Sequence, residues 1–116
     1  MLLPRIYDRI TRGEAITLQS ENGLAINPVH ADDAASAVFL LLEKSVSGVF
    51  NCAGPDTLTL RQIAEEFGRY QQTLPRLVSE PGDPTELIAD TRGLRSLGWS
   101  PRRRLLDHID DVADRA

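Results

Sequence analysis

An almost unbroken apolar run in the first half of the chain most constrains its fold. The run covers 34–42 and contains one polar residue, Ser36. Asp32 or Asp33 can accept hydrogen bonds from the first free N–H groups of a helix, so the pattern predicts a capped helix over Ala34–Lys44. Because this helix is apolar on nearly all sides, we expect it to be the buried centre of the fold.

Four further helices are predicted from apolar residues that recur every three or four positions. They lie near 4–12, after Thr59, over 91–97 and from Leu105 to Ala113. For the second, Thr59 and Gln62 have the spacing of a capping box, which predicts that the helix begins there.

Short strands are predicted between these helices, at Ala15–Leu18, Leu24–Val29, Val49–Ala53 and Arg76–Ser79. Pro28 removes a hydrogen-bond donor from the second and so favours a sheet edge or a strand end there. A length of 116 residues suits one core. The sequence therefore predicts a small α/β domain over 1–116, with short strands and four to five helices.

Composition and charge argue against several classes of protein. The net charge is −4 and the only basic run is Arg102-Arg103-Arg104, which is interpreted as a solvated helix start, so no nucleic-acid partner is expected. No stretch approaches the roughly 20 apolar residues of a membrane span, and the N-terminus lacks the pattern of a signal peptide. The single cysteine, Cys52, allows no internal disulfide, which fits the cytoplasm as the predicted compartment.

No recognisable catalytic set is present. The eight glycines are never arranged as a turn that cradles a pyrophosphate at a helix N-terminus. Neither Tyr7 nor Tyr70 is followed by a lysine four positions on, and Cys52 lies in a core pattern. We therefore predict no catalytic residue and no bound cofactor for this chain.

His30, Asp32 and Asp33 form the densest cluster of titratable groups. A metal or acid–base site is one interpretation. The favoured one is that the aspartates cap a helix while His30 hydrogen-bonds locally, so no metal site is predicted. His108 is assigned to the polar surface of the last helix.

The order of several short strings carries a family resemblance. These strings are Gly13–Leu18, Asn27–Ala35, Gly48–Gly54, Leu58-Thr59-Leu60, Pro81-Gly82-Asp83, Asp90-Thr91 and Leu97-Gly98-Trp99-Ser100-Pro101. Together they resemble the C-terminal half of extended short-chain dehydrogenases/reductases, a superfamily that includes NAD-dependent epimerases and dehydratases of nucleotide sugars. The resemblance covers almost the whole chain.

In that superfamily an N-terminal Rossmann domain binds NAD or NADP and supplies the catalytic tyrosine and lysine, while the C-terminal region closes over the substrate. The resemblance implies that this chain is the substrate-binding region alone, inactive by itself and without its Rossmann domain. It also implies that Thr17, Leu18 and Gln19 line the nucleotide end of a nucleotide sugar or a related small molecule. Asn27 and His30 would lie near the same cleft; ordinary strand structure is the alternative for each residue.

Two departures from the family bear on the substrate. Where the epimerases place arginines that face the diphosphate, this chain has Ile26 and the pair Ser79-Glu80. A carboxylate at such a position repels a diphosphate. Either the substrate lacks a diphosphate, or Arg76 and Arg92 supply the positive charge from other positions.

A different class of function stays open beside the enzyme fragment. The chain could be a free-standing ligand-binding or protein-interaction module that keeps this fold without the chemistry. Self-association, if it occurs, would use surface that a Rossmann domain otherwise covers.

Overall fold

The computed structural model describes residues 2–116, which form short strands and helices in alternation. In chain order the elements are α1 (Leu2–Arg12), β1 (Ala15–Gln19), β2 (Ala25–Ile26), α2 (Ala31–Lys44), β3 (Leu58–Thr59), α3 (Leu60–Gln71), β4 (Arg76–Glu80), β5 (Glu86–Leu87), α4 (Arg92–Ser96), a 3-10 turn (Leu105–Asp107) and α5 (Ile109–Ala113). The predicted α/β class with short strands and four to five helices is confirmed. Among residues 2–116, none of the helices combines the length and the apolar character of a membrane span.

The described residues form two compact units, each assembled from separate stretches of chain. The first contains 2–26, 58–87 and 108–116, and the second contains 27–57 and 88–107. The assignment of one domain to 1–116 stays a prediction.

Two small sheets build the first unit. β1 and β4 pair in parallel, whereas β2 pairs with β3 antiparallel and with β5 in parallel. Apolar side chains of α1, β1 and α3 form the core, with Ile10, Leu18, Ile63 and Phe67 almost fully buried. The ring of Tyr7 meets that of Phe67 edge-on, with centroids 5.8 Å apart.

The ends of α1 and α3 follow the local sequence. The capping box at α3 is confirmed: the Gln62 N–H donates to Thr59 Oγ1 at 3.2 Å, and the Thr59 N–H donates to Gln62 Oε1 at 2.9 Å. Gly13 follows α1 with φ of 70°, a left-handed conformation that glycine adopts without strain. These ends were predictable because their partners lie within a few residues.

In the second unit, α2 begins three residues before the predicted start. Its N-cap is His30, whose Nδ1 accepts a hydrogen bond from the Asp32 N–H at 3.0 Å. The prediction that Asp32 or Asp33 caps this helix was therefore wrong. Both aspartates lie in its first turn, and Asp33 is only 1% exposed because its side chain contacts other parts of the unit.

The prediction that α2 is the buried centre of the fold was also wrong. Of its residues only Asp33 and Ala37 are buried, whereas Val38, Phe39 and Leu42 are 56%, 73% and 70% exposed. An all-round apolar helix needs cover on every side, and the described residues cover one side of it.

No strand forms over Val49–Ala53, contrary to the sequence prediction. Within 2–116 no segment pairs with its backbone, so the ladder that defines a strand is missing. The side chains nevertheless alternate: Phe50 and Cys52 pack against a cluster of Ala37, Leu94 and Trp99, while Val49 is 97% exposed.

The next residue, Gly54, shows why a side chain is excluded there. A Cβ at this position would lie 1.7 Å from the carbonyl oxygen of Pro28. The same approach lets the Gly54 N–H donate to the Asn27 carbonyl at 3.0 Å. This bond fixes the segment that leads into α2.

The carboxylate of Asp33 joins the two stretches of the second unit. Its Oδ2 accepts the backbone N–H groups of Arg102 and Arg103 at 2.9 and 2.8 Å, and its Oδ1 accepts Nη1 of Arg103 at 3.0 Å. The Trp99 indole N–H donates to the Asp33 carbonyl at 3.1 Å and to Ser36 Oγ at 3.0 Å. Three donors therefore satisfy one buried charge.

These contacts correct part of the interpretation of the basic run as a solvated helix start: Arg102 and Arg104 are exposed, but Arg103 pairs with Asp33. The run precedes the 3-10 turn rather than starting a helix. Besides Arg103, Arg104 is also paired, with Nε 2.6 Å from Asp56 Oδ2. The predicted helix over Leu105–Ala113 is interrupted as well, since His108 separates the 3-10 turn from α5.

The hydrogen bonds to Asp33 determine its ionisation. Burial by itself raises the pKa of this carboxyl, but the N–H groups of Arg103 and Arg102 and the Arg103 guanidinium outweigh burial, and the pKa is lowered overall. A carboxyl whose folded pKa lies below the unfolded value of about 3.9 stabilises the fold fully above that value. The contribution is lost as pH falls through the folded pKa.

We expect Asp33→Asn to lower the free energy of unfolding by about 3 kcal/mol at neutral pH, because it removes a buried carboxylate that accepts three hydrogen bonds. The exposed neighbour change Asp32→Asn should cost less than about 1 kcal/mol. Urea unfolding followed by Trp99 fluorescence measures both, and the acid-induced loss of stability should be smaller in Asp33→Asn. Equal stability of Asp33→Asn and the parent chain would contradict this assignment.

Candidate functional site

One solvent-facing row of side chains crosses β1 and β4. The parallel register places Ala15 opposite Arg76, Thr17 opposite Val78 and Gln19 opposite Glu80. Paired residues share one face of a sheet, and alternate residues along each strand return to it. We call the exposed side chains Thr17, Gln19, Arg76, Val78 and Glu80 the β1–β4 face.

Three predicted substrate residues, Thr17, Gln19 and Arg76, lie together on the β1–β4 face. Gly82 lies beside Gln19, where an added Cβ would be 3.8 Å from the Gln19 side chain. Leu18 points to the opposite side of β1 and is 0% exposed. Any contact from Leu18 to a ligand would therefore have to come from its backbone.

Charge is unevenly distributed along the β1–β4 face. The Arg76 guanidinium donates to the Gly13 carbonyl at 3.0 Å and has no carboxylate within ion-pair distance among residues 2–116. Four of its five N–H donors are thus available to an anion. Glu80 lies four residues further along β4, roughly 13 Å away at the usual rise per strand residue. The face is positive at one end and negative at the other.

The predicted substrate residues of the second unit already have partners within it. Asn27 uses both functions of its amide on Ala89: Nδ2 donates to the Ala89 carbonyl and Oδ1 accepts the Ala89 N–H, each at 3.0 Å. His30 caps α2 through Nδ1. A substrate contact by Asn27 or His30 stays a prediction.

Arg92 forms a close ion pair with Asp90. Its Nη2 lies 2.7 Å from Asp90 Oδ2, and its Nε donates to the same oxygen at 2.9 Å. The side-chain hydrogen bond lowers the pKa of Asp90 and raises that of Arg92, so both groups stay charged and neutralise each other. Of the two arginines suggested for an anionic substrate, Arg76 is the more available.

The N-termini of α2 and α3 are the places where the pyrophosphate of a dinucleotide could bind to this chain. A pyrophosphate binds where free N–H groups and the helix dipole point at it. In α3 the capping box of Thr59 and Gln62 occupies that position, and in α2 the carboxylates of Asp32 and Asp33 occupy the first turn. Neither of these two helix starts fits a dinucleotide phosphate; that this chain binds no cofactor stays a prediction.

Sequence reasoning missed the ion pair of Asp33 with Arg103 and the indole N–H of Trp99 that supports it. Asp33 has the sequence position of a helix cap, and a basic triplet usually lies on a solvated surface. Only the contact between Asp33 and Arg103, which are 70 residues apart, shows that Asp33 is not a helix cap and that the triplet is not wholly solvated. The available signal was weak: a carboxylate beside an apolar helix, with one basic run elsewhere.

Comparison with known proteins shows which proteins share this fold. No family model matches the chain. Among curated proteins, the "Putative GDP-L-fucose synthase 2" of Oryza sativa subsp. japonica is 31% identical over 87 residues, which are 72% of this chain and 25% of that protein. UDP-glucuronic acid decarboxylase 5 of Arabidopsis thaliana is 26% identical over 102 residues, 84% of this chain and 30% of that protein.

Solved structures match over nearly all of this chain. The UDP-glucose 4-epimerase of Thermus thermophilus, in complex with NAD, aligns with a TM-score of 0.78 at 22% identity, covering 97% of this chain and 38% of that one. The UDP-glucuronic acid 4-epimerase of Bacillus cereus, in complex with UDP-glucuronic acid and NAD, aligns with a TM-score of 0.82 at 18% identity, with 98% and 38% covered.

These matches define the class: an α/β region with the fold of the C-terminal part of epimerases and dehydratases. The resemblance to the extended short-chain dehydrogenases/reductases that the sequence suggested is confirmed at the level of the fold. It spans about a quarter to three tenths of the length of the curated relatives.

Cys52, the one thiol, is expected to be unreactive. Burial raises its pKa and the charge of Asp33 raises it further, so little thiolate is present at neutral pH. We predict alkylation by iodoacetamide at least about tenfold slower in the native chain than in concentrated urea. A Cys52→Ser chain that carries Ser47→Cys, at an exposed loop position, should react at similar rates in both. Equal rates for native and unfolded Cys52 would contradict the assignment of Cys52 as a half-buried, unreactive thiol.

Proposed function

We propose that this chain is the substrate-binding region of an NAD(P)-dependent enzyme of the epimerase/dehydratase kind and that it has no catalytic activity by itself. The observation that carries the proposal is the match of 97% of this chain to 38% of an epimerase chain. The lack of a glycine-rich phosphate turn and of a tyrosine–lysine pair four positions apart supports its second part.

A Rossmann domain would supply what this chain lacks. It would bind NAD or NADP, which carries the hydride, and would provide the acid–base residues. The residues of this chain would bind and orient the substrate and limit its contact with water. No proton transfer is assigned to any side chain between 2 and 116.

The substrate we propose is a nucleotide sugar or a related small molecule with an anionic group. The β1–β4 face supports this class, because Thr17 and Gln19 offer hydrogen bonds beside the available Arg76 guanidinium. Charge-assisted hydrogen bonds to an arginine are stronger than neutral ones. The anionic group would bind at the Arg76 end, since Glu80 would repel it at the other.

Other predicted residues have secondary parts in this proposal. Leu18 would contribute backbone groups, and Asn27 and His30 would hold the chain that leads into α2. Arg92 would contribute little positive charge because Asp90 neutralises it. Location in the cytoplasm stays a prediction.

A free-standing ligand-binding or protein-interaction module is the second candidate. The exposed apolar side chains of Val38, Phe39 and Leu42 favour it, since a contiguous apolar patch of this kind marks an interaction surface. Self-association through this patch would fit the module, whereas binding of an anionic small molecule on the β1–β4 face would fit the enzyme region.

Isothermal titration of the full chain distinguishes the two. We expect saturable binding of UDP-glucose and none of NAD. Arg76→Gln should weaken UDP-glucose binding about tenfold, the value of one charge-assisted hydrogen bond. Arg5→Gln removes the same charge from an exposed position on α1 and should leave binding unchanged.

Three results would overturn the proposed function: saturable binding of NAD, turnover of UDP-glucose by the purified chain alone, or equal loss of binding in Arg76→Gln and Arg5→Gln. Absence of UDP-glucose binding together with a stable dimer would favour the interaction module.

A further inference from the structure

Two arginine side chains of the first unit contact the turn that joins α1 to β1. Nη1 of Arg9 donates to the Ala15 carbonyl at 3.1 Å, and Nη1 of Arg76 donates to the Gly13 carbonyl at 3.0 Å. Gly13 and Ala15 are two positions apart, so their Cα atoms are at most about 7 Å from each other. We call the two arginines, together with 13–15, the turn site.

Neither guanidinium of the turn site has a carboxylate within ion-pair distance among residues 2–116. The neighbouring Arg12 differs, because Asp8 Oδ2 lies 3.2 Å from its Nε and Glu14 Oε1 lies 4.0 Å from its Nη1. The two acidic side chains of this region therefore pair with Arg12. Arg9 and Arg76 keep positive charges that no described carboxylate matches.

The two guanidinium groups are held in place before a ligand binds. Arg9 and Arg76 are both exposed, and each uses one N–H on a backbone carbonyl. Four of the five N–H donors of each arginine are thus available. A side chain that is already held loses less conformational entropy on binding, so a fixed pair binds an anion better than two mobile arginines do.

The number of unmatched charges indicates the class of ligand. A carboxylate carries one negative charge, and a single guanidinium can bind both of its oxygens through two parallel hydrogen bonds. A phosphate group carries nearly two negative charges and three strong acceptor oxygens. Two guanidinium groups from different elements, α1 and β4, therefore match a phosphate or a pyrophosphate better than a carboxylate.

We propose that the turn site binds a phosphate or pyrophosphate group of the substrate and that Arg9 is a phosphate-binding residue beside Arg76. The inference rests on the proposed function, which assigns the anionic group of the substrate to the Arg76 end of the β1–β4 face. It narrows the chemistry of that group and adds Arg9 to its binding residues. Arg92 is the weaker candidate for this role, since Asp90 neutralises it.

A purely structural role of the two arginines is the competing explanation. The last carbonyls of a helix lack partners within it, and cations near them are favourable. Arg9 and Arg76 would then only stabilise the end of α1. The contact of Arg9 argues against this role, because its acceptor, Ala15, lies in β1, beyond the end of the helix at Arg12.

Isothermal titration of the full chain with inorganic pyrophosphate, inorganic phosphate and acetate tests the proposal. We expect saturable binding of pyrophosphate, weaker binding of phosphate and none of acetate. Arg9→Gln and Arg76→Gln should each weaken pyrophosphate binding about tenfold, the value of one charge-assisted hydrogen bond. Arg9→Lys keeps the charge without the planar fork of donors and should weaken binding less than Arg9→Gln does.

Arg5→Gln is the matched control. It removes the same charge from an exposed position four residues earlier, on the same side of α1, and should leave pyrophosphate binding unchanged. Urea unfolding followed by far-ultraviolet circular dichroism shows which variants are folded, and Arg9→Lys tests the proposal if Arg9→Gln does not fold. A folded Arg9→Gln chain that is less stable but binds pyrophosphate normally would establish the structural role instead.

Three further results would overturn the proposal: no saturable binding of pyrophosphate, equal binding of acetate and pyrophosphate, or equal effects of Arg9→Gln and Arg5→Gln. Competition with UDP-glucose separates it from the proposed function. Loss of UDP-glucose binding in Arg76→Gln but not in Arg9→Gln refutes the role of Arg9 alone. Pyrophosphate binding that depends on both arginines but is not displaced by UDP-glucose refutes the substrate assignment and identifies a site for free phosphate.

Discussion

The buried carboxylate of Asp33 is the interaction on which the second unit depends. It lies in the first turn of α2, yet its partners are the backbone and guanidinium of residues about 70 positions later. A charge this buried is tolerated only when donors surround it, so the unit must fold with Arg103 in place. The Trp99 indole, bonded to the Asp33 carbonyl, brings the apolar cluster to the same point.

Elements with local determinants were predictable from the sequence. The capping box of Thr59 and Gln62 depends on residues three positions apart and is present. The short strands predicted at 15 and 76 are present as well, although they pair with each other over a long stretch of chain. The predictions failed for residues whose contact partner lies far away in the sequence or outside the described residues. Asp33 forms a long-range ion pair with Arg103 instead of the expected helix cap. The α2 helix has an apolar side that no residue within 2–116 covers.

In the candidate site, too, local features were predictable from the sequence and long-range features were not. Family resemblance suggested Thr17 and Gln19, and Arg76 was predicted as a source of positive charge, but only the parallel register of β1 and β4 places all three on one face. From the sequence alone, Arg76 and Arg92 were equal candidates for binding an anionic substrate. In the structure, Asp90 neutralises Arg92. Register and ion pairing are tertiary properties, so the composition of the site could be predicted in part and its charge could not.

The most direct test of a substrate region without a cofactor site is a map of amide chemical shifts of the full chain during titration with UDP-glucose and, separately, with NAD. UDP-glucose should shift the amides of β1, β4 and Gly82, with the largest changes near Thr17, Gln19 and Arg76, and NAD should shift none. Saturable shifts with NAD, or UDP-glucose shifts that avoid both strands, would contradict the assignment.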